Sequence, residues 1–200
     1  YYSVSYKRKR LSILKKNKNF KFYKSDISNF DKLNEIFKKN KFDLIINLAA
    51  QPGVRYSISN PKEYVASNIV GFFNLAELCR KYNVKKVYYA SSSSVYGENK
   101  KFPLKEIEKI NPKNIYSLSK KNNEEIAEIY SIYYNMQFLG LRFFTIYGEW
   151  GHRRDNADAS FSISVVTYRC LRPKDSGPVS SWKTNERNRA VRLVIPRGLR

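Results

Sequence analysis

The stretch DLIINLAA at residues 43–50 constrains the fold more than any other feature. Apart from Asp43 and Asn47 it is apolar, the pattern of a strand buried on both faces of a parallel sheet. FKFYK (20–24), KKVYYASS (85–92) and FLGLRFF (138–144) are predicted as further strands. Helices are predicted between them. SNFDKLNEIFKKN (28–40) places Phe30, Leu33 and Phe37 on one helical face behind a Ser or Asn cap. A second helix begins near Asn60-Pro61, with proline suited to the first helical position, and runs to about Tyr82. A third runs from about Tyr116 to Asn135, with Ile126, Ile129, Tyr130 and Tyr133 on one face. Strand and helix in this alternation build βαβ units. The predicted fold class is α/β, a doubly wound parallel sheet.

Such sheets bind ligands at the carboxyl ends of their strands. NLAAQPG, ASSSSVYG and RFFTIYG all fall there, so three polar or glycine-containing loops gather on one edge. Just beyond the serine loop stands YSLSK, residues 116–120. Spacing of four puts Tyr116 and Lys120 on one face of a helix, one turn apart. A free phenol titrates near 10 and is a poor base at neutral pH, whereas a nearby ammonium favours the phenolate. Tyr-x-x-x-Lys also arises by chance, with the tyrosine packed and the lysine solvated. The strand-end loops favour the catalytic dyad.

The formal net charge is +21, from 38 Lys and Arg against 17 Asp and Glu. The lysines scatter instead of forming one block, so solvated faces account for them better than a nucleic-acid partner does. Cys79 and Cys170 make no metal-ligand spacing, and His152 is the only histidine, so no metal site is expected. The natural setting is a reducing cytoplasm, with no membrane segment. Up to Trp150 the chain has 22 Lys and 5 Arg; from Gly151 onward it has 2 Lys and 9 Arg. That break divides the chain into residues 1–150 and an arginine-rich segment 151–200. The segment is expected to be a disordered tail or the product of a shifted reading frame, with an RNA-binding tail as a minor alternative.

NLAAQPGVRYSISNPKEYVASNIVGFFNLAELCRKYNVKKVYYASSSSVYGENKKFPLKE, followed by YSLSK and GLRFFTIYGEWG, closely resembles the extended short-chain dehydrogenase/reductase family. Within it the motifs are most similar to nucleotide-sugar epimerases of the branch acting at C4 of a UDP-uronic acid. The resemblance covers about residues 1–151 and implies a Rossmann-type NAD-binding sheet. It also implies a first strand with a glycine-rich turn, which this sequence does not show, and a sugar-nucleotide domain after YGEWG. The expectation is therefore an incomplete Rossmann-type domain with a tail foreign to the family, or an inactive remnant of such an enzyme.

The resemblance implies roles residue by residue. Tyr116 is the base, Lys120 its partner and a ligand of the nicotinamide ribose, and Ser92 the hydroxyl that assists at the sugar C4 oxygen. Asp26 and Ile27 lie at the adenine side of NAD; Leu48, Ala49, Ala50 and Gln51 form a loop beneath the cofactor. Asn68 is a buried polar position near it, and Phe144 stands beside the nicotinamide. Ser93 and Ser94 occupy positions where dehydratases carry carboxylates. Neutral hydroxyls there, with Thr145, would grip a substrate carboxylate without repelling it. Arg55 would pair with phosphate or carboxylate. The implied reaction is NAD-dependent 4-epimerisation of UDP-glucuronate, with a neutral UDP-hexose as the alternative, by an intact protein that is a homodimer.

Overall fold

The computed structural model describes residues 4–99, 103–144 and 165–169. A helix not expected from the sequence comes first, α1 (Val4–Leu14). Then follow α2 (Phe30–Lys39), β1 (Ile45–Asn47), α3 (Val54–Ser59), α4 (Pro61–Tyr64), a π-helical segment (Val65–Val70) and α5 (Gly71–Lys81). The remainder comprises β2 (Lys86–Ser92), a 3₁₀ turn (Ser93–Tyr96), α6 (Ile115–Tyr134), β3 (Gln137–Phe143) and β4 (Val165–Arg169). No helix among the described residues is long and apolar enough to cross a membrane.

The sheet order is β1-β2-β3-β4. β1, β2 and β3 are parallel, with Ile45 opposite Val87 and Val87 opposite Phe138. β4, from the arginine-rich segment, pairs antiparallel with β3, Gly140 opposite Tyr168. This is the α/β, Rossmann-type parallel sheet expected. One predicted strand is absent: FKFYK (20–24) carries no ladder. A strand is defined by its partner, and among the described residues this segment has none. Tyr23 anchors it by donating its hydroxyl to Asn40 Oδ1 at 3.0 Å.

The core forms between helices and sheet, from Leu33 and Phe37 of α2, Ile45, Phe72, Leu75 and Leu78 of α5, and Val87, Tyr89 and Phe138. Asn29 caps α2 by accepting from Lys32 N. Two of the predicted faces are buried only in part. Ile36 replaces Phe30 in the core, because Phe30 sits in the first turn and points outward. On α6, Ile129 and Tyr133 are exposed, and Ser117, Ser119, Lys120, Asn123, Glu124, Ala127, Tyr130 and Ser131 are buried. The helix turns a polar, small-residue face inward.

Two glycines allow close approach at positions that shape the site. Gly140 lies opposite Tyr89, and a Cβ there would come within 2.6 Å of the Tyr89 hydroxyl. Gly97 ends the 3₁₀ turn at φ +65°, where a Cβ would lie 2.1 Å from the Asn111 carbonyl oxygen. Gly97→Ala is expected to cost about 1–3 kcal/mol through the left-handed backbone, plus whatever the clash adds. Urea unfolding of the full-length protein checks this; an unchanged midpoint would contradict it.

Candidate active site

Parallel strands finish on one edge, and β1, β2 and β3 deliver Asn47, Ser92 and Phe143 to it. The loop after β1 is held by buried side chains. Asn47 Oδ1 accepts from Ala49 N at 3.1 Å. Asn68, 1% exposed, accepts from Gln51 N at 2.7 Å and donates to Gln51 O at 3.1 Å and Ser119 Oγ at 3.0 Å. One amide thus clamps the loop to α6. Asn68 lies in the π-helical segment, an irregularity that re-aims side chains and gathers at functional sites. The Tyr64 hydroxyl lies 2.7 and 2.6 Å from the carbonyl oxygens of Pro52 and Gly53.

Helix α6 starts in a capping box. Asn114 accepts from Ser117 N, and Ser117 Oγ accepts from Asn114 N. This fixes Tyr116 in the first turn, half-buried, its ring edge-on to Tyr64 at 6.1 Å between centroids. Lys120 follows one turn later and is 4% exposed. Its Nζ donates to the Ala90 carbonyl of β2 at 2.7 Å and lies 6.0 Å from the centre of the Tyr116 ring. Burial pushes the Lys120 pKa down to about 8.

Ser92, at the end of β2, is buried and caps the 3₁₀ turn. Its Oγ accepts from Ser94 N at 3.2 Å and from Ser94 Oγ at 2.9 Å. Two accepted bonds fill its lone pairs and leave its own O–H able to donate to a ligand. Ser93 is half-buried, and Phe144 packs on Val95 and Tyr96. Asp26 Oδ1 accepts from Ser28 N at 2.9 Å and Ser28 Oγ at 2.8 Å, shaping the turn before α2. Ile27 is buried against Gly71, whose missing side chain makes room for it. Leu48 is 58% exposed, Ala49 and Ala50 are half-buried, and Arg55 is exposed on α3. Thr145 and His152 lie outside the described residues.

Several site-building residues were not singled out from sequence: Tyr64, Ser91, Ser119, Glu124 and Arg142. A usable signal existed for the last two. An arginine inside the apolar strand FLGLRFF requires a buried counter-charge. Glu124 continues the Tyr116–Lys120 spacing on the same helix face.

The donor set fits a nicotinamide nucleotide: a buried ammonium, a phenol and a hydroxyl beside a loop of small residues at a strand-end edge. No glycine-rich pyrophosphate turn lies among the described residues. Protein CapI of Staphylococcus aureus is 47% identical over 172 residues, covering 86% of this chain and 51% of that protein. UDP-glucuronate 4-epimerase 4 of Arabidopsis thaliana is 45% identical over 168 residues, covering 83% and 38%. A Thermotoga maritima UDP-glucose 4-epimerase structure with UDP-glucose superposes with a TM-score of 0.61 at 33% identity. That match covers 63% of this chain and 41% of the other. The chain spans about half or less of the length of these curated relatives. The family model matches residues 3–190, continuing past the lysine-to-arginine break, and its description names the group: the chain belongs to the NAD dependent epimerase/dehydratase family.

Proposed function

We propose that the whole protein is an NAD-dependent nucleotide-sugar 4-epimerase acting on a UDP-uronic acid, converting UDP-glucuronate to UDP-galacturonate. The observation that carries this reading is the Lys120 ammonium, buried and fixed on Ala90 O, facing the Tyr116 ring at the edge where β2 delivers Ser92. NAD, when bound, supplies the hydride acceptor and donor. Tyr116 takes the proton from the C4 hydroxyl, and Ser92 donates a hydrogen bond to the C4 oxygen. Lys120 holds the ribose and keeps a positive charge beside the phenol. Tyr116 would return the proton to the C4 oxygen once the sugar has presented its other face to the cofactor. Asp26, Ile27, Leu48, Ala49, Ala50, Gln51, Asn68 and Phe144 would line or support the cofactor.

The uronate reading rests on the hydroxyl-bearing turn. Ser93, Thr145, and Ser94 once its proton turns from Ser92, would donate to the carboxylate; Arg55 would counter its charge. Full-length protein supplied with UDP-glucuronate and, separately, UDP-glucose is expected to convert the first. Conversion of UDP-glucose alone would assign a neutral-sugar epimerase. Oxidation at C4 of a glucuronate gives a β-keto acid prone to losing carbon dioxide, and the grip should disfavour that loss. Replacing Ser93, Ser94 and Thr145 together by alanine is expected to raise the decarboxylated product; an unchanged product ratio would refute the grip.

The intact protein is proposed as a cytoplasmic homodimer. Phe73 of α5 and Ile129, Ile132 and Tyr133 of α6 are outward-facing apolar side chains that a second copy would cover. Sedimentation of the full-length protein tests this.

A further inference from the structure

Helix α6 carries a third member of the stripe that holds Tyr116 and Lys120. Glu124 stands one turn beyond Lys120, is 3% exposed, and meets groups from both central strands. Arg142 of β3 donates Nε to Glu124 Oε1 at 2.9 Å and Nη2 to Oε2 at 2.8 Å. Ser91 of β2 donates its Oγ to Oε1 at 2.6 Å. Arg142 is fully buried, and its Nη1 reaches the Tyr96 hydroxyl at 2.9 Å and the Glu106 carbonyl at 3.1 Å. Ser91 and Arg142 are register partners in the β2–β3 ladder.

A buried ion pair is a poor route to stability, because desolvating both charges offsets most of their attraction. Apolar residues of similar volume would fill the same space. The added property is geometry, since a two-pronged arginine–carboxylate contact holds both groups within a narrow range of angle. Each partner is also next to a residue of the proposed site. Glu124 follows Lys120 by one turn, Ser91 immediately precedes Ser92, and Tyr96 closes the turn containing Ser93 and Ser94.

We propose that Glu124 and Arg142 are positioning residues. Their buried fork sets the Tyr116–Lys120 face of α6 against the strand end that carries Ser92 and the Ser93–Tyr96 turn. The inference rests on reading this edge as the NAD and UDP-sugar site. A misplacement near 1 Å costs up to about 100-fold in rate.

The test uses full-length protein, with NAD affinity from titration and kcat and KM on UDP-glucuronate. Arg142→Lys keeps the charge and loses the fork. It is expected to weaken NAD binding about tenfold and, at saturating NAD, to lower kcat about tenfold or more with KM nearly unchanged. The double variant Glu124→Leu/Arg142→Met removes both charges together, so neither is left buried without its counter-charge. Positioning predicts that its kcat stays low. A double variant with wild-type NAD affinity and kcat would overturn the proposal, since the pair would then not position the site. Should the charge variants fail to fold, Ser91→Ala and Tyr96→Phe each remove one bond and strand no charge; both are expected to lower kcat several-fold, and wild-type values in both would overturn the proposal. A wild-type protein that binds NAD yet epimerises no UDP-sugar removes the proposed reaction; NAD affinity of the same variants then decides positioning alone.

Discussion

Tyr116→Phe in the full-length protein is expected to lower kcat by about 10²–10⁴ while NAD still binds. The substitution removes one oxygen and keeps the ring. The capping box at Asn114 and Ser117 continues to fix the first turn, and the edge-on contact with Tyr64 survives. Lys120 keeps its bond to Ala90 O. With stability checked by urea unfolding of the variant, the loss of kcat reports proton transfer at the phenol oxygen. A kcat within about threefold of wild type would remove Tyr116 as the base.

Lys120 makes the second large effect, one that links stability to pH. Its pKa is about 8 in the folded chain, against an ordinary value of 10.5, and burial is the cause. Between these values the unfolded chain binds more protons than the folded one, so this group makes stability rise with pH. Below about 8 the folded protein bears the full penalty of a buried ammonium, roughly 3 kcal/mol. Lys120→Met should abolish that part of the slope between about pH 8 and 10.5. The same variant should lose most of its NAD affinity and turnover. Wild-type kcat/KM should fall as pH rises above about 8, where the ammonium is lost. Unfolding free energies of both proteins across this range test the claim. Parallel curves would show that Lys120 carries no such penalty.

The strand-end loops were legible because parallel topology converts a one-dimensional pattern into a shared edge. NLAAQPG, ASSSSVYG and the end of FLGLRFF had to meet once DLIINLAA was a buried parallel strand. Tyr116 and Lys120 were legible through their helical spacing and that edge. Helix α6 was legible as a helix, but a shared face of Ile126, Ile129, Tyr130 and Tyr133 did not say which side is buried. The inward face carries Ser119, Lys120, Asn123 and Glu124, which border the candidate site. Ile129, Ile132 and Tyr133 face outward, where the proposed second copy would cover them. FKFYK had the composition of a strand, and composition does not supply a partner. The helix over 61–81 was placed correctly, yet its π-helical segment, which aims Asn68 at Gln51 and Ser119, leaves no periodic trace in the sequence.

The most direct measurement follows UDP-glucuronate deuterated at C4 as the full-length protein acts on it, reading the product by NMR. Hydride that leaves and returns within one closed site predicts UDP-galacturonate with deuterium retained at C4 and none lost to water. Label washed into solvent, or no C4 inversion in a protein that has NAD bound, would contradict the account.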